Sequence, residues 1–272
     1  MTQQRSPLVV EAPEQLFRIS TRRTFLKILG AGGSIILLPS LFAARSDAHP
    51  LRGTRSNGVV LDLSTDTGIL NYAYALEQLE AAFYTAVLAA PAFKTFTPDQ
   101  QEVFTDLRNH EVIHREFLRA VLGGKAIESL ALNPSGMSTT MAGMNSIMRT
   151  AQAFEDLGVA AYNGAGKYLK DAGTLLVAGK IVSVEARHAA AIRDMRDSLD
   201  QARGATMGTR FAGDDVVESP GNKYQGLDVK LEPSAVLKRV GATRLVATPI
   251  SIGTPPRTVQ GTPDFAPPSP TQ

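Results

Sequence analysis

Cysteine is absent from the 272-residue chain. Disulfides and iron–sulfur clusters are therefore excluded, even in an oxidising compartment. The weakly apolar stretch Ile28 to Ala43 holds three glycines and a proline. It falls short of the about 20 apolar residues that a membrane-spanning helix needs. Net charge is also scarce, with a formal value of only +2. Residues 1–48 carry Arg5, Arg18, Arg22, Arg23, Lys27 and Arg45 against Glu11, Glu14 and Asp47, so the remainder of the chain is near −1. The basic isoelectric point belongs to the first 48 residues, and nucleic-acid binding loses its electrostatic motive.

What the chain does have is four helical seams, each with a carboxylate where an apolar residue belongs. The first runs Leu70, Ala73, Glu77, Glu80, Tyr84, Val87, and the second Phe104, Leu107, Glu111, His114, Leu118, Val121. The third runs Met141, Met144, Met148, Ala151, Glu155, Gly158, Tyr162, Ala165, Leu169, and the fourth Ile181, Glu185, His188, Ile192, Met195, Leu199. Steps of three and four residues mark one face of a packed helix. A buried carboxylate costs several kcal/mol unless it is paired or binds a cation. Four carboxylates converging with only two histidines call for positive charge, and a pair of metal ions is its simplest source.

The order repeats. Glu77 is followed by Tyr84 and then by Glu111-Val112-Ile113-His114; Glu155 is followed by Tyr162 and then by Glu185-Ala186-Arg187-His188. The repeat predicts two helical hairpins related by a pseudo-dyad, with metal between them. A Glu and a His at i, i+3 share one helical face, so one ion can take both or the Glu can bridge two. Glu80, three residues after Glu77, is either an extra ligand, an acceptor for a histidine N–H, or a rim charge. Tyr84 and Tyr162 either hydrogen-bond a ligand carboxylate across the bundle or pack their rings with the hydroxyl on backbone. His110 points about 100° away from Glu111 on a helical wheel and reads as partly exposed. Asp156, next to Glu155, is expected to face outward.

These residues resemble the ferritin-like di-metal carboxylate proteins, a family whose site takes one Glu from each of two helices and Glu-x-x-His from each of the other two. The text Leu70-Asn71-Tyr72-Ala73-Tyr74-Ala75-Leu76-Glu77-Gln78-Leu79-Glu80-Ala81-Ala82-Phe83-Tyr84 is similar to the exported bacterial ferritin-like subgroup, some of whose members are called desiccation-related. The resemblance covers residues 64 to 200. It implies an all-α, ferritin-like four-helix bundle of two antiparallel hairpins joined by a crossover. It also implies two metal ions, iron or manganese. Their ligands would be Glu77, Glu111, His114, Glu155, Glu185 and His188, with Glu77 and Glu155 terminal and Glu111 and Glu185 bridging.

The N-terminus reads as a targeting segment. Thr21-Arg22-Arg23-Thr24-Phe25-Leu26-Lys27 resembles the twin-arginine export signal, and Ser46-Asp47-Ala48 offers small residues for cleavage after Ala48. The expected organisation is a signal peptide over 1–48, a flexible linker over 49–63 and the bundle over 64–203. A C-terminal extension with a short helix (204–247) and a disordered Pro/Thr/Gly/Ser-rich tail (248–272) complete it. Within the bundle, helices are expected from Ser64 to before Pro91, from Thr97-Pro98 to Gly123-Gly124, from about Ser138 to Lys170, and, after a short Asp171-Ala172-Gly173 link, on to about Ala202-Arg203-Gly204. Pro and a capping Thr start the second; glycines stop it.

Two functions follow from the resemblance. One is a periplasmic or extracytoplasmic redox protein, delivered by the twin-arginine machinery, that oxidises Fe(II) with O2 or peroxide, or consumes peroxide, in envelope stress protection. Tyr84 and Tyr162 are its candidate catalytic groups. The other is a non-enzymatic envelope or desiccation-stress protein in which the metal is a structural staple. Both involve metal ions, neither involves nucleic acid or a stable membrane span once the signal is removed, and both are compatible with a homo-oligomer.

Overall fold

The computed structural model describes residues 58–202 and 228–259, with side chains placed up to residue 197 in the first of these stretches. The expected signal peptide, and the parts of the linker, extension and tail outside those ranges, lie beyond the described residues.

Four long helices form the bundle: α1 (Asp66–Ala89), α2 (Pro98–Leu122), α4 (Met144–Ala165) and α5 (Ala172–Ala202). A short α3 (Pro134–Thr140) lies in the crossover, and α6 (Pro233–Thr243) follows the bundle. Local chemistry sets the starts. Thr65 caps α1 by accepting from the Gly68 N–H at 3.0 Å. Thr97 and Gln100 form a reciprocal capping box on α2, with Pro98 at the first helical position. Pro91 stops α1, because its ring cannot continue a helix, and α2 ends at Gly123, whose φ of +53° suits a residue without a Cβ.

The third helix of the sequence reading is two helices. Gly143 takes an extended conformation between α3 and α4, and the Ser146 hydroxyl donates to the carbonyls of Thr140 and Gly143 across the break. Glycine is a poor helix former, by about 1 kcal/mol against alanine, so the interruption falls there.

The crossover is tied to the bundle by buried amides on α1. Asn71 donates to the Lys125 carbonyl at 2.9 Å and accepts from the Ile127 N–H at 2.8 Å. Gln78, two turns on, accepts from the Leu130 N–H at 2.8 Å. At the other link, Asp66 accepts from the backbone N–H groups of Lys170 and Asp171, both at 2.9 Å.

The flexible linker and disordered tail are corrected in part. Residues 59–62 (β1, Val59–Asp62) and 250–254 (β2, Ile250–Thr254) pair as a two-stranded parallel sheet, with Val59 opposite Ile250 and Leu61 opposite Ile252. The cause is a period-2 pattern: Val60 and Asp62 face out, whereas Leu61 and Leu63 are buried in the core. The C-terminal segment also docks on α4, where the Leu231 N–H donates to the Ala160 carbonyl at 2.9 Å. A Cβ on Gly164 would lie 1.9 Å from the Leu231 carbonyl oxygen, so only glycine lets this backbone approach. Val236 and Val240 of α6 are buried in the same core. Among the described residues no helix is long and apolar enough to cross a membrane.

Along the bundle, Ala73, Leu118, Tyr162 and Ile181 meet at one end of the polar layer. Tyr84, Phe104, Met148 and Ile192 belong to the main core, in which Tyr84 and Phe104 pack edge to face at 5.7 Å. The four seams therefore run α1 and α5 one way and α2 and α4 the other, the arrangement that a crossover connection produces.

Candidate metal centre

Glu77, Glu111, Glu155 and Glu185 are each 0 % exposed, and Glu80 and His188 are nearly so. Their helices place them one turn inside apolar neighbours, so none reaches water. Two sets of groups converge. Glu77, Glu111, His114 and Glu185 bring one ligand atom each within 4.8 Å of one another, as do Glu111, Glu155, Glu185 and His188. Glu111 and Glu185 belong to both. The structure thus brings all six sequence-derived ligand positions together and gives the two halves the internal symmetry of the repeat.

The atoms divide in a regular way. Tyr84 Oη of one hairpin donates to Glu155 Oε1 of the other, and Tyr162 Oη returns the bond to Glu77 Oε1 at 2.5 Å. Each terminal glutamate is left with Oε2 unbonded, each shared glutamate with both oxygens, and each histidine with Nδ1. His114 Nδ1 lies 3.0 Å from Glu185 Oε1 and 3.5 Å from both Glu77 Oε2 and Glu111 Oε2. His188 Nδ1 lies 2.8 Å from Glu111 Oε1 and 3.3 Å from Glu155 Oε2. None of these approaches has the direction of a hydrogen bond. Orphaned buried oxygens cost roughly 1–3 kcal/mol each or more, and a bound cation would satisfy them. The donor set of carboxylate and imidazole suits iron, manganese or zinc.

Electrostatics give the same reading. Burial pushes the Glu77 carboxyl up to about 7, against the pull of His114. Burial, reinforced by the neighbouring carboxylates, drives Glu80 and Glu185 well above the usual range. Burial also raises Glu155, with His188 opposing it. For Glu111, burial is outweighed by its contacts with His114 and His188, which hold it down to about 2. The histidines move the other way. Burial disfavours their charge, yet Glu155 and Glu111 raise His188 to about 11, and Glu111, Glu185 and Glu77 raise His114 also. A bound cation would compete with the protons that these shifts favour.

Glu80 lies beside Glu185 against α4. A Cβ on Gly158 would sit 3.0 Å from Glu185 Oε2 and 3.2 Å from Glu80 Oε1. That glycine leaves room for two carboxylates, so a rim position for Glu80 is corrected to a buried one, although neither converging set includes it.

Two relationships escaped the sequence. His110 is exposed, as its wheel position implies, yet its Nδ1 lies 2.9 Å from His188 Nε2. Asp156 does not face outward freely: it receives Arg193 Nε at 2.9 Å and Nη2 at 2.6 Å, and that guanidinium is almost wholly buried. A buried arginine requires such a carboxylate, and the only advance signal was Arg193 lying one residue past seam residue Ile192.

No curated protein sequence matches the chain. Residues 65–198 match the family model described as ferritin-like domain. With the all-α bundle, the crossover and the shared carboxylates in place, residues 65–198 are a ferritin-like domain.

Proposed function

We propose that the chain is an exported di-metal carboxylate protein, holding two iron or manganese ions, that oxidises Fe(II) with O2 or consumes peroxide in the cell envelope. One observation carries the reading: eight ligand atoms without hydrogen-bond partners divide into two sets that share Glu111 and Glu185. Glu77 Oε2, His114 Nδ1 and one oxygen from each shared glutamate would hold one ion. Glu155 Oε2, His188 Nδ1 and the remaining oxygens would hold the other. Iron or manganese bound there supplies the change of oxidation state that O2 or peroxide chemistry needs.

The chain's own residues do the rest. The four carboxylates supply the negative charge that stabilises the more oxidised ions. Four protein ligand atoms to each ion would leave room beside it for a small oxidant. Burial raises the Tyr84 and Tyr162 hydroxyls far above the ordinary phenol value, so each stays a donor that fixes Glu155 or Glu77 and keeps a proton at its Oη. The four shared and flanking glutamates and His188 are buried away from solvent. In the ferroxidase reaction two Fe(II) give one electron each to O2, which takes two protons and leaves as hydrogen peroxide. With peroxide as oxidant, the same two electrons and two protons yield two waters.

Export rests on Arg22-Arg23 and the apolar stretch after them. The twin-arginine route carries folded proteins, so metal can be loaded where its supply is controlled. The test is elemental analysis of the exported protein followed by turnover. Two iron or manganese ions per chain, with Fe(II) oxidation or peroxide loss that His188→Ala abolishes while helical circular dichroism persists, support the reading. Equal rates in parent and variant would make the metal a structural staple.

A further inference from the structure

We infer that the apolar cavity at the Tyr162 end of the bundle is a binding pocket for dioxygen, and that O2 is the oxidant this chain takes. The inference rests on the redox reading of the metal centre and narrows it.

The cavity measures about 30 Å³ and lies among all four bundle helices. Small side chains make it: Ala73 on α1, Ala161 and Ala165 on α4, and Ala178 on α5 leave space that larger residues would fill. No polar atom faces the space. A water molecule needs a volume of roughly 10–15 Å³ and two to four polar partners. The volume is sufficient for a diatomic molecule and the partners are missing. Hydrogen peroxide meets the same obstacle as water, since its O–H groups would be buried without acceptors at a cost of a few kcal/mol. O2 has no donor to satisfy.

Position links the cavity to the chemistry. Ala73 precedes Glu77 by four residues, Ile181 precedes Glu185 by four, and Leu118 follows His114 by four. At 1.5 Å rise per residue the cavity therefore lies about 6 Å along the bundle from the ligand layer. The ring of Tyr162 forms part of the wall between them, and its hydroxyl holds Glu77 Oε1. On the other side the lining residues Leu70, Val177 and Ala178 are only half-buried, which gives a small apolar gas a way in from solvent. The pocket lies between half-buried lining residues and the ligand layer, and a polar oxidant entering it is penalised.

Xenon, a polarisable apolar probe of dry cavities, tests the pocket without reference to activity. Crystals of the full chain pressurised with xenon should show one atom bounded by Ala73, Ala161 and Ala178. Ala178→Leu, at a half-buried position about two helical turns before Glu185, should remove the xenon. It should also raise the KM for O2 in Fe(II) oxidation by about tenfold, leaving peroxide-driven oxidation unchanged. Ala161→Leu fills the same space from α4 and should act alike. Absence of xenon in the parent, or an unchanged KM for O2 in a variant that has lost xenon, overturns the proposal. A parent that binds xenon yet oxidises Fe(II) with neither oxidant overturns the role of O2 by removing the redox reading beneath it, while the gas pocket itself stands.

Discussion

The imidazole of His110 stacks on that of His188, with centroids 5.1 Å apart and planes 17° from parallel, and His110 Nδ1 lies 2.9 Å from His188 Nε2. His188 turns its other nitrogen, Nδ1, towards Glu111 and Glu155. A histidine that holds a cation through Nδ1 carries its proton on Nε2, and His110 Nδ1 is placed to accept it.

Removal of that acceptor should weaken metal binding. His110→Ala is expected to lower the affinity of the centre by about 10–100-fold, the usual effect of deleting the partner of a ligating histidine. His110→Gln, which restores an acceptor, should recover part of the loss. Chelator competition measures both, and parent-like affinity in His110→Ala would deny His110 an orienting role.

Stripping the metal should destabilise the bundle, because a ligand that binds only the native state adds to its stability. The stripped protein is expected to melt well below the loaded one, and equal melting temperatures would contradict this. Glu111→Ala should lower bound metal more than Glu80→Ala, since Glu111 serves both sets and Glu80 neither.

The difference between stripped and loaded protein should grow with pH. Glu77 is raised from its ordinary value to about 7 in the metal-free fold. A raised carboxyl binds more protons when folded, so its contribution is present at low pH and is lost as pH rises towards 7. His188, raised to about 11, loses its contribution over a higher range. Both protons must leave for metal to bind. Melting of stripped protein should therefore fall between pH 5 and pH 8, while apparent metal affinity rises. A gap that narrows over this range would reverse the sign and refute the assignment.

The crossed tyrosines should be equivalent. Tyr84→Phe and Tyr162→Phe each leave one buried carboxylate oxygen without its donor, at a cost of about 1–3 kcal/mol. Denaturant melts of the two variants should agree closely, with helical content retained. A large effect for one and none for the other would mean that the two hairpins do not share the site evenly.

Arg22→Lys combined with Arg23→Lys should leave the protein in the cytoplasm, because the export receptor reads the arginine pair. Fractionation of cells that express the double variant gives the answer, and normal periplasmic accumulation would reject the export route.

The burial and convergence of the candidate ligand positions were legible because each charge stands at apolar helical spacing between residues such as Leu107 and Leu118, or Ile181 and Ile192. A helix face is a local property, and burial follows from it. The capping box at Thr97 was legible for the same reason. His110 was not, since its angle from Glu111 points it off the seam and only the nearness of α5 returns it to His188. The β1–β2 pair was hidden by separation: Leu61 and Ile252 have weak local signals and need each other to form a ladder. Gly143 was a visible warning within the expected third helix, but the seam of Met141, Met144 and Met148 continues through it and masks the break.

The pairing of Val59 with Ile250 has a consequence for the order of events in the cell. Synthesis runs from the N-terminus, so β1 waits for a partner until β2 has emerged. All four bundle helices are complete before then. Closing so long a loop also carries an entropic cost that a bundle already folded has largely met. The parallel pair is thus a late latch, fastened only on chains that have been made as far as residue 254, and a chain truncated before β2 would present Val60 and its neighbours as an open strand edge.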